Sequence, residues 1–293
     1  MPAETSPAAV VGDTEFAVRG TGAPVLVVHG TPGGIDVAEI MARFLPSTEF
    51  RVVTLSRPGY LGTRIRPGHD SLDDEADRYA ALLDALSIDR VGVLAWSGGG
   101  PAAYRFAARH PDRVRSLVVA AGLTGRWEPP AVPAPVRIVG GSAFGAALAR
   151  LAARLLPALV VRIAVSGVST LRGPALRAHV HGVLRDPDRR SFVVDLAGTG
   201  NTSGPHRAGW EADVRNLGAI EDLALAEVRV PTLLVHGEAD TDVDPSHSAR
   251  AAATVPGAEL VTVPGGTHFA LWDHREARAL QARVREHLGR GAL

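Results

Sequence analysis

The chain has 293 residues, of which 46% are hydrophobic and 21% are charged, a globular composition at a length where one α/β core can be buried. Its 31 cationic and 31 acidic residues balance, so no summed field would hold the protein on nucleic acid or on an anionic membrane, and we expect a small-molecule partner. Every cationic residue is arginine and cysteine is absent, which excludes Schiff-base lysines, P-loop nucleotide hydrolysis and thiol nucleophiles.

The N-terminal segment MPAETSPAAVVGD has neither a cationic start nor a long apolar run. It therefore does not resemble a signal peptide, and we expect a cytoplasmic protein. The most membrane-like stretch, residues 143–168, is interrupted by Arg150, Arg154 and Arg162. No uncharged run in it approaches the roughly 20 residues that a spanning helix needs, so we interpret it as amphipathic helix.

Short apolar runs rich in β-branched residues alternate with longer helical patterns, which is typical of a mostly parallel sheet flanked by helices. The fold class is therefore α/β. The first long helix is predicted over residues 72–86, with Asp73, Asp74 and Glu75 in its first turn, and the last over residues 273–288. The predicted strands are residues 25–29, 51–55, 91–96, 116–121, 232–236 and 259–263.

The alternation breaks between about residues 125 and 227, where one helical pattern follows another without a clear strand. We interpret this segment as a helical cap inserted into a core made of residues 1–124 and 228–293. The apolar side chains near residues 143–168, among them those of residues 155–161, are candidates for a pocket wall or for the core of the cap itself. Glu211 and Asp213 are candidates to receive a substrate amine or to face solvent.

The segment VGVLAWSGGG, residues 91–100, leads an apolar strand directly into Ser97, and a helical pattern follows. A serine on such a strand-turn-helix elbow presents its hydroxyl to solvent, and small neighbours avoid clashes in the tight turn. The usual pattern is G-x-S-x-G, from which Ala95 departs. Taken alone, the string fits a glycine-rich turn without a catalytic role equally well.

A serine hydroxyl needs a neighbouring base to accept its proton, and His268 is the best candidate. It lies in the segment VPGGTHF, in a loop between the last predicted strand and the last helix, and such loops gather reacting groups in parallel folds. His29 ends a strand in a turn, which favours a structural role. Two other histidines, His179 and His181, suggest a metal site, but residues two apart on a helix face different sides, so we expect no metal.

The third group must be a carboxylate that fixes the tautomer of the imidazole. Asp240 follows a predicted strand in the segment HGEAD, close enough to the strand end to be held rigidly. Glu238, Asp242 and Asp244 compete for this role. Asp242 and Asp244 lie progressively farther out, and Asp244 is expected to cap a helix that begins at Pro245.

Acyl transfer also needs N–H donors that point at the developing oxyanion. Gly98 is one candidate, because it follows the nucleophile at the start of a helix. The loop HGTPGG offers the other. Pro32 has no N–H, so Thr31 is preferred and Gly33 is the fallback.

Five segments, HGTPGG, SRPGY, WSGGG, HGEAD and GGTHF, resemble α/β-hydrolase segments in their expected order. The order of Ser97, Asp240 and His268 is also the order in which α/β-hydrolases carry nucleophile, acid and base. The segments lie within residues 15–124 and 228–290. The resemblance implies an α/β-hydrolase fold with a helical cap after the sixth strand of the family's sheet, and it places Thr31 and Gly98 at the oxyanion hole.

The resemblance further implies a serine hydrolase that cleaves a carboxylic ester or related acyl bond through an acyl-enzyme. Nucleophile, base and oxyanion donors are all protein groups, so we expect no cofactor, and the apolar residues of the cap favour a substrate with an apolar acyl part. Epoxide hydrolases and haloalkane dehalogenases need an aspartate at the position of Ser97. A proline-iminopeptidase-like amidase stays open, although tryptophan here precedes the serine instead of following it. A carbon–carbon bond hydrolase also stays open, and a ligand-binding receptor on the same fold is the non-enzymatic alternative.

Overall fold

The computed structural model describes residues 8–129, 143–199 and 202–291. Within these ranges eight strands form one sheet, β1 (Ala9–Val11), β2 (Thr14–Arg19), β3 (Ala23–Val28), β4 (Phe50–Leu55), β5 (Val91–Trp96), β6 (Val114–Ala120), β7 (Thr232–Gly237) and β8 (Glu259–Val263). Their spatial order is β1-β2-β4-β3-β5-β6-β7-β8. The pairs β1–β2 and β2–β4 are antiparallel, and all later neighbours pair in parallel.

The six predicted strands are confirmed as β3 to β8, with ends shifted by at most two residues. Their sequences are continuous apolar runs because most of these strands are buried on both faces. The antiparallel strands β1 and β2 were not predicted. β1 is short and exposed, and β2 contains Glu15 and Arg19, so neither gives a continuous apolar run.

Helices flank this sheet and fill the described chain between β6 and β7. Ser71 and Asp74 form a capping box that starts the second helix at Leu72, as predicted. The predicted last helix is present but begins at Ala277 instead of Asp273, because His274 has an extended conformation and separates it from a short helix at Ala270–Asp273. The helices are α1 (Ile35–Ala42), α2 (Leu72–Ala85), α3 (Gly100–Arg109), α4 (Ala143–Leu155), α5 (Pro157–Gly167), α6 (Gly173–Arg185), α7 (Pro187–Thr199), α8 (Arg207–Gly218), α9 (Ser246–Thr254), α10 (Ala270–Asp273) and α11 (Ala277–Gly289).

The sheet separates two apolar layers, as the alternation of side chains along β3 shows. Leu26 and Val28 pack with α2 and α3 on one face. Val25 and Val27 pack on the other face with α1, α10, α11 and apolar residues of α5 to α7. Because side chains alternate with a period of two, one apolar run contributes to both layers. The carboxyl ends of the parallel strands lie together at one edge of the sheet.

We call α4 to α8 the β6–β7 helices. The chain that leaves α5 is held against the loop after β7, because Thr170 N–H donates to Ala239 O at 2.7 Å and Thr241 N–H donates to Val168 O at 3.3 Å. The β6–β7 helices are therefore fixed beside Asp240. Residues 130–142 and 200–201 of the predicted cap lie outside the described residues, and the division into core and cap stays a prediction. Within the described ranges, no helix is both long and apolar enough to cross a membrane.

Candidate active site

Ser97 lies in a tight turn between β5 and α3, and its residues 97–99 form one 3₁₀ turn. Its φ of 53° is in the left-handed region, which costs a non-glycine residue about 1–3 kcal/mol. The turn packs closely on the preceding loop, since a Cβ atom at Gly99 would overlap His29 O and come within 2.9 Å of Val28 O. The predicted strand-turn-helix geometry is confirmed, and strain is concentrated at its serine.

His268 follows β8 and is buried beside the loop after β7. Its Nδ1 atom lies 2.7 Å from Asp240 Oδ2, so the predicted base and the preferred carboxylate are paired. This bond leaves Nε2 as the ring nitrogen that faces other groups. Ser97 and His268 line the same cavity, although none of the described hydrogen bonds joins Ser97 Oγ to Nε2.

The two charges in this pair shift each other's proton affinity. Burial opposes protonation of His268, but the carboxylates of Asp240 and Asp242 outweigh it, so the pKa of His268 is raised above 6.5. Burial likewise opposes ionisation of Asp240, but His268 and hydrogen bonds outweigh it and hold the pKa of Asp240 well below its usual range. Asp240 Oδ1 accepts from the backbone N–H groups of Asp242 at 2.8 Å and Val243 at 3.1 Å. The geometry therefore keeps a carboxylate opposite a basic imidazole.

A second histidine contacts the same carboxylate, which the sequence analysis missed. His236 Nε2 lies 3.2 Å from Asp240 Oδ2 and 3.0 Å from Val243 O. Both neighbours are acceptors, so Nε2 carries the proton. His236 Nδ1 lies 2.6 Å from Ser248 Oγ. The sequence could have indicated this contact, because His236 lies at the end of β7 and Asp240 was identified by its position after the same strand.

The three carboxylates that competed with Asp240 lie at different positions relative to His268. Glu238 is exposed. Asp244 accepts from Ser246 N–H at 2.9 Å, but the prediction that it is the N-cap of a helix starting at Pro245 is wrong, because α9 begins at Ser246 and Pro245 is in the N-cap position. The expectation that Asp242 lies far out is wrong. Its Oδ2 atom is 3.4 Å from His268 Nε2, because the loop turns back over the imidazole.

The two candidate oxyanion donors are adjacent. A Cβ atom at Gly98 would overlap Thr31 Oγ1, so the two residues touch, and only glycine fits beside the threonine. The Thr31 hydroxyl donates to Asp213 Oδ2 at 2.6 Å, which fixes the threonine side chain. Gly33, the fallback donor, packs its backbone against the His29 ring.

A buried cluster of charged side chains packs against the loop that contains Thr31. Arg57, from the SRPGY segment, donates to Asp213 through two nitrogens at 2.8 and 2.9 Å and to Glu75 at 2.7 Å. Tyr60 OH donates to Asp213 Oδ2 at 2.7 Å. The expectation that Asp213 faces solvent or receives a substrate amine is wrong, because α8 turns it inward onto Arg57. Burial raises the pKa of Asp213, opposed by the charge of Arg57.

The cavity at Ser97 has a volume of about 180 Å³. Part of its apolar wall comes from α7 and from Ala164 and Val168, which lie in the predicted stretch of residues 143–168. Two residues named in that stretch do not line the cavity, because Leu155 is 67% exposed at the end of α4 and Val161 is buried in the core. Larger clefts, such as one of about 410 Å³ beside Arg43 and Arg189, contain none of the predicted site residues. The lining residues at Ser97 are Thr31, Pro32, Trp96, Ser97, Ala164, Val168, Val193, Leu196, Ala197, Asp242, His268 and Phe269.

The histidines that were assigned other roles have local partners. His29 Nε2 accepts from Arg57 N–H at 2.9 Å and its Nδ1 lies 2.7 Å from Gly30 O, as expected of a structural residue. His179 Nε2 lies 2.8 Å from Asp273 Oδ2, which ties α6 to α10. His181 is exposed. Within the described chain, no cluster of three or more His, Asp or Glu side chains is suited to hold a metal.

Comparisons with known proteins agree with this geometry. Residues 23–275 match the family described as alpha/beta hydrolase fold. A solved alpha/beta hydrolase fold protein from Nakamurella multipartita is 39% identical, with a TM-score of 0.91, over 98% of this chain and 99% of that one.

Two curated relatives are similar over nearly their whole length. An uncharacterized hydrolase of Bacillus subtilis, YcgS, is 28% identical over 91% of each chain. A 2-hydroxy-6-oxononadienedioate/2-hydroxy-6-oxononatrienedioate hydrolase of Cupriavidus pinatubonensis is 27% identical over 95% of this chain and 92% of the relative. This chain thus resembles hydrolases over nearly its whole length. It also contains the serine elbow, the paired imidazole and carboxylate, and the apolar cavity.

Proposed function

Because the chain belongs to the alpha/beta hydrolase fold family and is an α/β-hydrolase enzyme, we propose that it is a serine hydrolase with Ser97 as nucleophile, His268 as base and Asp240 as the orienting acid. One observation carries this proposal. The imidazole that is bonded to Asp240 at 2.7 Å lines the same cavity as the strained serine of the elbow.

In the proposed reaction, Ser97 Oγ attacks the acyl carbon while His268 Nε2 takes the hydroxyl proton, through a hydrogen bond that forms when substrate binds. The charge of Asp240 stabilises the imidazolium. Backbone N–H groups of Thr31 and Gly98 receive the negative oxygen of the tetrahedral intermediate. The imidazolium then gives its proton to the leaving group, and a water molecule, activated by the same imidazole, releases the acid from Ser97.

We favour a carboxylic ester with an apolar acyl part as the substrate. Apolar side chains support this choice, since they make up most of the described cavity lining, and four of them come from α5 and α7. The Cupriavidus pinatubonensis relative is named for a dioate, which carries two carboxylates. Among the described lining residues no arginine is present to pair with such a group, so carbon–carbon bond hydrolysis of a dioate is the weaker candidate.

Substitution of the nucleophile tests the proposal. Ser97→Ala should leave the fold intact and lower hydrolysis of p-nitrophenyl butyrate by about 10⁴-fold or more, because catalysis by the triad is lost as a unit. Ser166→Ala, which removes a hydroxyl bonded to its own helix at Ile163 O, should keep wild-type turnover. Labelling by a fluorophosphonate should disappear in Ser97→Ala only. Turnover in Ser97→Ala close to that of the wild type would refute the mechanism, and labelling without turnover in the wild type would favour a receptor.

A further inference from the structure

Asp242 places a carboxylate at the reacting side of the candidate base. Its Oδ2 atom lies 3.4 Å from His268 Nε2, and its side chain is 31% exposed at the mouth of the cavity. The backbone of the same residue has a separate task, since its N–H holds Asp240 Oδ1 at 2.8 Å. A change confined to the Asp242 side chain therefore leaves the support of Asp240 in place.

The identity of the contacted nitrogen locates Asp242 relative to the substrate. His268 Nδ1 is occupied by Asp240, so Nε2 is the atom that exchanges protons during the proposed reaction. The same nitrogen must protonate the departing oxygen of the ester, which brings that oxygen within hydrogen-bond distance of it, about 2.6–3.2 Å. Asp242 is thus beside the leaving group and not beside the acyl chain, which the apolar walls of α5 and α7 contact.

The charge of Asp242 is not neutralised by a cationic side chain. In the described part of the chain, its ion-pair contact is with His268 alone, whereas other carboxylates near the β6–β7 helices, such as Asp195 and Asp186, lie against arginines. The described cavity lining contributes no second ionisable group besides the imidazole. A leaving group at this position therefore meets a carboxylate that no arginine of the described lining pairs with, against a largely apolar wall.

We propose that Asp242 determines specificity for the leaving group and that the substrate class is an ester whose alcohol carries a positive charge a few bonds from the reacting oxygen. The inference rests on the proposed function, because it uses the role of Nε2 in that mechanism. A cationic alcohol gains Coulomb attraction from the carboxylate as it departs, a neutral alcohol of the same shape gains none, and an anionic alcohol is repelled.

Three butyrate esters of similar shape test this selectivity, with 2-(trimethylammonio)ethyl, 3,3-dimethylbutyl and 2-sulfonatoethyl leaving groups. Each kcat/KM is measured for the wild type, Asp242→Asn and the control Glu238→Gln, which removes an exposed charge from the same loop. Comparing ratios between variants cancels the intrinsic reactivities of the esters. We expect the cationic-to-neutral ratio and the neutral-to-anionic ratio each to fall about tenfold in Asp242→Asn, and both to fall in the wild type as salt screens the charge. Glu238→Gln should keep both ratios.

Two results would overturn the inference. Equal slowing of all three esters in Asp242→Asn would mean that Asp242 acts only through His268, and the proposed serine mechanism would still stand.

A binding measurement by ligand-observed NMR tests the role of Asp242 independently of turnover, with 2-(trimethylammonio)ethanol and 3,3-dimethylbutan-1-ol as the probes. Tighter binding of the cationic alcohol to the wild type, lost in Asp242→Asn, supports the inference even if none of the esters is hydrolysed. Absence of hydrolysis would count against the proposed function and not against the role of Asp242. Equal binding of the two alcohols overturns the inference.

Discussion

Asp240 is the residue on which the candidate site converges. Its Oδ1 atom accepts from two backbone N–H groups, and its Oδ2 atom lies within 3.2 Å of two imidazoles, His236 and His268. A buried carboxylate surrounded by donors stays ionised, which agrees with its lowered pKa. The loop after β7 thereby holds one fixed negative charge behind the base.

Replacing this carboxylate by an amide should disable the base without changing its size. In Asp240→Asn, the oxygen is drawn to the two backbone N–H groups, so the NH₂ group faces His268 Nδ1 and forces the proton onto Nε2, the wrong tautomer. We expect kcat to fall roughly 10³- to 10⁴-fold. Asp244→Asn should be mild, because the amide oxygen of asparagine can still accept from Ser246 N–H. Near-normal kcat in Asp240→Asn, with loss of activity in Glu238→Gln, would show that another acid orients the base.

The pH dependence of kcat/KM should report the raised pKa of His268. Burial lowers this pKa, but Asp240 and then Asp242 outweigh burial, so the imidazole stays protonated to a pH above 6.5. A protonated imidazole cannot act as a base, so activity toward a neutral ester should rise with pH through a midpoint above 6.5. Removing one favourable charge in Asp242→Asn should move this midpoint down. A midpoint that stays in place or moves up in the variant would contradict the assignment of charges around His268.

Among the elements, α7 and the C-terminal part of α5 form one wall of the cavity at Ser97. The cavity of about 180 Å³ is smaller than most ligand pockets, which measure roughly 300–1,000 Å³. We expect kcat/KM to increase about fourfold per added acyl methylene, from about 0.8 kcal/mol per buried methylene, until the cavity is full. Leu196→Ala should shift the optimum to longer chains. Leu159→Ala, on the exposed face of α5, should not, and a series that is flat or highest for acetate would contradict an apolar acyl pocket.

The last β6–β7 helix, α8, is held in place by the buried ion pair between its Asp213 and Arg57, which follows β4. Asp213→Ala would leave Arg57 short of one of its two carboxylates and would leave Tyr60 and Thr31 without their acceptor. Removing one partner of a buried ion pair costs about 3–5 kcal/mol in the free energy of unfolding, measured by denaturant titration. Glu211→Ala removes an exposed carboxylate of the same helix and should cost less than about 1 kcal/mol. Equal, small losses in both variants would show that the cluster contributes little to stability.

For the molecule as a whole, the sequence predicted what depends on local pattern. Strands β3 to β8 were evident because burial on both faces makes them continuous apolar runs, and Ser97 because its elbow is coded by adjacent small residues. The partners of Asp213 were not predictable, since Thr31 and Arg57 are 182 and 156 residues away in the chain and only tertiary packing joins them. Asp242 was misjudged because distance along a loop says little about where the loop turns back.

The parallel sheet explains how distant residues reach one site. Ser97 follows β5, Asp240 follows β7 and His268 follows β8, and the carboxyl ends of these strands lie at one edge of the sheet. Thr31 reaches the same edge after β3. We therefore propose that groups at four strand ends act together on an acyl carbon through a covalent intermediate on Ser97.

The covalent intermediate on Ser97 can be observed by mass spectrometry. Wild-type protein and His268→Ala are mixed with p-nitrophenyl butyrate, quenched in acid within milliseconds to seconds, and analysed by intact-mass and peptide mass spectrometry. We expect one butyryl group on the peptide that contains Ser97 in the wild type, formed and lost at rates that match turnover, and none on that peptide in His268→Ala. Hydrolysis of the ester at the normal rate with no acyl group on Ser97 at any time would contradict the account.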